Sequence, residues 1–252
     1  MSAYGIPTDR ILSKLDSYFA KNDYAGAEKH LKYWLDEAMI SGDERGTVQI
    51  CNELIGLSRK LGKREQAFEY SSLALDTLHS LEMEASITAA TTYINIATAY
   101  KAFDDASASL PLFEKALDIY ESALPSTDSR LGGLYNNLAL SLCDLGRFSE
   151  AYEFYNKAIA VMSHSDKGEL EQAITYLNIA SALEAEKGLI DADEQIAEYL
   201  QKATELLDIY AELDDGYYAF VCEKCASVFG YYGYFMYEKE LKERATRIYE
   251  RH

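Results

Sequence analysis

The chain has 252 residues, 42 of them acidic and 24 basic, which leaves a formal net charge of −18. Such a surface repels phosphate backbones and anionic lipid, so nucleic acid and membrane are excluded as expected partners. A protein segment of basic or mixed charge suits it better. Three prolines and 14 glycines favour long helices over short strands and turns, and no apolar run approaches the roughly 20 residues of a membrane span. The first ten residues lack the basic start and apolar run of a secretory signal. Four irregularly spaced cysteines form no disulfide framework, and a reducing cytoplasm is the compartment expected from both.

In chain order the sequence reads as one domain of six helix pairs, at about 8–42, 43–85, 86–128, 129–168, 169–213 and 214–252. The first pair carries Ala27 and Leu31, with Trp34 where later pairs have a small residue. The second carries Gln49, Asn52, Glu53, Arg59 and Lys60 on its first helix, then Gly62 at the turn and Ala67 and Ala74 on its second. The third introduces Tyr93-Ile94-Asn95-Ile96-Ala97, with Thr98 and Lys101 after it and Asp104 at the turn. In its second helix Pro111 is harmless only if it falls in the first turn. The fourth is the clearest. Leu134, Tyr135, Leu138, Ala139 and Leu142 make one apolar face, Gly146 ends the helix, and Ser149 is a plausible N-cap for the next. The fifth repeats the motif as Tyr176-Leu177-Asn178-Ile179-Ala180. It has about four extra residues around 187–193, which make either a longer turn or an extended helix. The sixth is rich in aromatics, from Tyr217 to Tyr237, and ends in a polar helix.

The three motif asparagines are 42 and 41 residues apart, a period that marks a repeat array. Small residues recur with it. Ala74, Ala116, Ala158, Ala203 and Ala245 sit on second helices, and Ala97, Ala139, Ala180 and Ala226 on first helices. Two helices cross closely only where one offers a small residue against a large one. Tyr24, Phe113, Phe148 and Tyr155 supply the large partners.

The stretch Tyr135-Asn-Asn-Leu-Ala-Leu-Ser-Leu-Cys-Asp-Leu-Gly-Arg-Phe-Ser-Glu-Ala151 resembles the tetratricopeptide repeat. The 42-residue period is similar to the long-repeat variant of kinesin light chains. Pro125-Ser-Thr-Asp-Ser-Arg130 lies where that variant has its link between repeats. The resemblance implies an all-α, right-handed superhelical solenoid whose concave groove, lined by first helices, binds a peptide or protein and performs no catalysis. It also implies that a groove asparagine bonds the backbone of an extended ligand. The residues suit this. Asn follows the packing Tyr by two positions, about 200° around the helix, and an amide pairs with both peptide C=O and N–H. The competing reading is that Asn95, Asn137 and Asn178 bond neighbouring helices and hold the array.

The expected peptide-binding set is therefore Asn95, Asn137 and Asn178, supported by Asn52, Asn136, Arg59, Lys101, Asp144 and Glu184. Basic residues toward the N-terminal side and acidic ones toward the C-terminal side would orient a ligand with its basic part near Asp144 and Glu184. Glu53 and Lys224 take the Asn place in the flanking repeats. The Lys and Arg set that clamps a C-terminal carboxylate in chaperone-binding relatives is missing, so no such tail recognition is expected.

Other signals point away from chemistry. Cys222-Glu-Lys-Cys225 falls inside a helix at packing positions, and His30, His79, His164 and His252 are scattered, so a core role is expected rather than zinc or redox activity. Asp191-Ala-Asp193-Glu194 reads as an acidic helix start rather than a calcium loop. No phosphate loop or hydrolase motif is present, so neither catalysis nor a cofactor or metal is expected. The alternative function is a self-associating scaffold that uses the surplus aromatics of the C-terminal region.

Overall fold

The computed structural model describes residues 5–251, so His252 lies outside the described residues. They form twelve helices and no strand. These are α1 (Thr8–Phe19), α2 (Tyr24–Ser41), α3 (Glu44–Lys60), α4 (Arg64–Ser80), α5 (Ile87–Ala102), α6 (Ala106–Ala123), α7 (Ser129–Asp144), α8 (Phe148–Met162), α9 (Gly168–Lys187), α10 (Leu189–Asp208), α11 (Gly216–Tyr231) and α12 (Phe235–Tyr249). Consecutive helices pack as six pairs that fall on the six repeats. The chain divides between Ala123 and Leu124 into two compact units of three pairs each. Among the described residues no helix is long and apolar enough to cross a membrane.

The turn inside each pair is set by one residue of positive φ. It is Asn22 (53°), Gly62 (68°), Asp104 (62°), Gly146 (71°), Gly188 (84°) and Gly233 (85°) from the first pair to the sixth. Left-handed backbone suits Gly best, with Asn and Asp next, because a short polar side chain tolerates the region. Side chains then open the following helices where they can. Asp23 accepts from the Gly26 amide, and Asp43 from that of Gly46. Ser86, Asp128 and Asp215 do the same for α5, α7 and α11. These bonds satisfy N–H groups that the helix itself cannot.

The pairs close because the small residues are where the helices cross. Ala27, Ala67, Ala74, Ala97, Ala116, Ala139, Ala151, Ala158, Ala180, Ala203 and Ala226 have no exposed surface, and Phe113 and Tyr155 are wholly buried among them. In the first unit Ile11 and Leu15 of α1, Leu31 and Leu35 of α2, and Ile50, Cys51, Leu54 and Leu57 of α3 form one apolar cluster. Each such side chain contributes about 1.5–3 kcal/mol by leaving water.

Two expectations need correction and one alternative is resolved. Ser149 is not the N-cap of α8. The helix starts at Phe148, after Arg147, which makes no capping bond and instead pairs with Glu150. Pro111 is the sixth residue of α6, past the first turn, so its missing N–H leaves the Ser107 carbonyl without its helical donor. The extra residues of the fifth repeat lengthen the helices. α9 and α10 have 20 residues each and only Gly188 between them.

Candidate functional site

First helices of successive pairs lie side by side, α3 with α5 in one unit, and α7 with α9 and α9 with α11 in the other. The motif tyrosines point away from this face. Tyr93 and Tyr135 are buried and Tyr176 is half-buried. Each packs on the second helix of its own pair beneath a lysine: Lys115 lies 5.7 Å from the Tyr93 ring, Lys157 5.5 Å from Tyr135 and Lys202 5.9 Å from Tyr176. These lysines recur with nearly the period of the tyrosines, a signal that sequence reasoning passed over. About 200° round the helix, Asn95, Asn137 and Asn178 are half-exposed, as expected.

The asparagines bond in a pattern that the motif alone does not reveal. Asn95 Nδ2 donates to Asn52 Oδ1 at 3.2 Å, and Asn178 Nδ2 donates to Asn136 Oδ1 at 3.1 Å. In both cases the acceptor stands one place earlier in the preceding repeat than the motif Asn position. Asn52 passes the chain on, its Nδ2 donating to Thr92 Oγ1 at 3.0 Å, and Thr92 donates to the Thr88 carbonyl. Asn137 differs. Its Nδ2 donates to the Gly133 carbonyl of its own helix at 3.0 Å. The side-chain oxygens of Asn95 and Asn178 have no partner among the described residues. Thr88 and Thr92 did not figure in the sequence reading.

Asn52 and Asn95 also line a cleft of about 450 Å3 between α3 and α5. Its other residues include Arg45, Gln49 and Glu53 on α3, Leu81 and Met83 beyond α4, and Ile87, Thr88 and Thr91 on α5. The volume falls within the roughly 300–1,000 Å3 of ordinary ligand sites. Surrounding protein disfavours the charged form of Glu53, and the charge of Asp16 adds to this, so its pKa is raised. Partial desolvation likewise lowers that of the exposed Arg59. Lys101 is half-buried, and Asp144 is exposed at the end of α7.

Glu184 already has partners on the next repeat. Its two oxygens accept from Tyr231 at 2.6 Å and Tyr232 at 2.8 Å. A carboxylate has about four acceptor positions, so the two neutral phenols take part of its capacity and leave its charge in place.

Models of the tetratricopeptide repeat match residues 47–122 and 132–164. These two stretches are tetratricopeptide repeats. Solved structures share the repeat fold. They include BtubC from P. vanneervenii, with a TM-score of 0.62 and 20% identity, covering 80% of this chain and 77% of that one. A kinesin light chain of nearly identical repeats from Podosopora anserina has a TM-score of 0.56 and 16% identity, covering 81% and 95%. A Rap protein complexed with Competence and Sporulation Factor has a TM-score of 0.55 and 16% identity, covering 94% and 73%. No curated protein matches the sequence significantly.

Within the tetratricopeptide array, the aromatic last repeat is largely accounted for by its hydroxyls. Tyr217 donates to Glu171 and Tyr237 to Asp208, as Tyr231 and Tyr232 do to Glu184, and Tyr210, just before this repeat, donates to Glu169. The α9–α11 seam is thus joined by phenol–carboxylate bonds where the α3–α5 and α7–α9 seams use amides. An aromatic edge is nevertheless left in solvent, where Tyr231 is 69%, Phe235 68% and Met236 82% exposed. Cys222 and Cys225 are buried in α11. Burial raises both thiols, Cys225 to about 12, so neither forms the reactive thiolate. Asp191 lies in the first turn of α10, where a carboxylate favours the helix N-terminus.

Proposed function

We propose that this chain is a non-catalytic scaffold whose first-helix face binds an extended protein segment through the asparagine row. The observation that carries the reading is the α3–α5 cleft, where Asn52 and Asn95 hold each other in place and the Asn95 oxygen remains open. A fixed amide presents its spare acceptor and donor to a peptide backbone at low entropic cost. Asn178, bonded to Asn136, offers the same arrangement in the second unit, and Asn137, Arg59, Lys101 and Asp144 complete the set. The two competing roles of the asparagines therefore merge, since the same side chain ties its neighbour with nitrogen and offers oxygen to the ligand. The Rap protein structure adds that this fold accommodates a bound factor. A reducing cytoplasm accords with four cysteines that form no disulfide.

The test begins with a pull-down from the protein's own cell extract, followed by a synthetic peptide of the segment retained. Asn137→Ala should weaken that peptide by about 1–3 kcal/mol with the fold intact. Unchanged affinity would sink the asparagine row as the contact.

A second reading, self-association through the last repeat, is favoured by the exposed Tyr231, Phe235 and Met236 together with Ile190, which is 90% exposed. Sedimentation over a range of concentrations tests it. A strict monomer that binds no 8-anilinonaphthalene sulfonate excludes it.

A further inference from the structure

The α3–α5 cleft has a chemistry beyond its amides. Glu53 occupies the motif Asn place in the second repeat, so the row that presents amides elsewhere presents a carboxylate here. Among the described residues Glu53 has no ion pair and no side-chain hydrogen bond. In this it differs from Glu184 and Glu171, whose carboxylates are covered by tyrosines. The neighbouring charge from another helix is Asp16 of α1, of like sign. At the other end of the cleft stands Arg45, also without an ion pair. It is eight residues before Glu53, hence about 12 Å along the helix axis. Leu81, Met83 and Ile87 supply an apolar wall.

Half-buried, with the like charge of Asp16 acting on it in a chain of net charge −18, the Glu53 carboxylate lacks a cation. A ligand that brings one restores the balance, and the same cation is repelled at the Arg45 end. We propose that this cleft is a subsite that selects a Lys or Arg beside an aliphatic residue in the bound segment. Glu53 takes the cation, and Leu81, Met83 and Ile87 take the aliphatic side chain. Arg45 turns a second basic group away and so fixes the direction in which the pair lies. The inference rests on the peptide-binding reading above and moves the basic end of the ligand from Glu184 to Glu53.

The test uses the full chain and a phage-displayed library of random dodecapeptides, panned in parallel on wild type, Glu53→Gln, Glu53→Lys and Ile87→Ser. Circular dichroism melting confirms that each variant folds; both positions reach solvent, so folding is expected to survive. On wild type, Lys or Arg adjacent to Leu, Ile, Met or Val should be enriched. Glu53→Gln should reduce the basic enrichment about tenfold, as befits loss of one charge-assisted bond. Glu53→Lys should replace it with acidic residues, and Ile87→Ser should reduce the aliphatic preference alone. Peptides that bind with no basic preference, or whose preference persists in Glu53→Gln, overturn the subsite and leave the peptide-binding face standing. A library from which wild type enriches nothing overturns both.

Discussion

The asparagine row makes a prediction that separates its two jobs, because Asn95 and Asn137 differ in what their nitrogens hold. Changing Asn95 to Ala removes the 3.2 Å bond to Asn52 and strands the Asn52 oxygen on a half-exposed surface. A bond of this kind contributes about 1 kcal/mol, while Ala in a helix interior recovers about 0.5 kcal/mol over Asn. The net loss is about 0.5 kcal/mol, or roughly 1–2 °C in melting temperature for a chain of this size. Changing Asn137 to Ala removes only a bond to the Gly133 carbonyl of its own helix. The propensity gain then dominates, and stability should hold or rise by about 0.5 kcal/mol. Urea unfolding of both single variants, with a double-mutant cycle between Asn52 and Asn95, measures this directly. The cycle should return a coupling of about 0.5–1 kcal/mol. A coupling of zero, or a loss in Asn137→Ala equal to that in Asn95→Ala, would refute the distinction between tied and untied asparagines.

Four other outcomes follow from the packing and the charges. Ala139→Leu, at a position with no exposed surface, should overpack the α7–α8 joint and cost about 1–3 kcal/mol by urea unfolding; a neutral result would show that the crossing has slack. Tyr232→Phe should cost about 1 kcal/mol through its lost bond to Glu184, and Tyr231→Phe less, because that ring is 69% exposed; equal costs would contradict the burial argument. Two glycine-to-alanine changes should act with opposite signs: Gly146→Ala, at φ 71°, should destabilise by about 1 kcal/mol, whereas Gly56→Ala, inside α3 with open space around a new Cβ, should stabilise by about 0.8 kcal/mol. Asp128, bonded by Arg130 side chain and backbone, is held down at about 2 from an ordinary 3.8. Its folded pKa is depressed, so its contribution is complete above about pH 4 and is lost as pH falls toward 2; a carboxyl resonance that titrates near 3.8 by NMR would overturn the pairing.

Much of the fold is legible in the sequence because each repeat solves the same steric problem. The Tyr, Leu or Ile, and Ala of the motif, with the second-helix alanines, recur wherever two helices must touch. The turn residues recur because a tight reversal needs left-handed backbone. Even Asn22 and Asp104 betray their role by standing where other repeats have Gly. The capping residues were less legible. Ser149 looks like a cap by composition, but the chain makes its turn two residues earlier, so Arg147 holds the place.

The candidate site was legible only in outline. Period identifies which residues return to the same face, and in this way it picked out Asn95, Asn137 and Asn178. It says nothing of the register between adjacent helices. That register decides that Asn95 meets Asn52 and that Asn178 meets Asn136, whereas Asn137 bonds its own helix. Nor does charge counting say which carboxylates are open. Glu184 and Glu53 look alike in sequence, but tyrosines from the next repeat reach one of them and none reaches the other. The sequence by itself determined the repeat, its helix pairs and the face on which amides recur, because these follow from local periodicity and side-chain size. Only the tertiary structure decided which polar groups on that face are satisfied by neighbours and which are left open, because a hydrogen bond depends on the crossing of two helices some 40 residues apart.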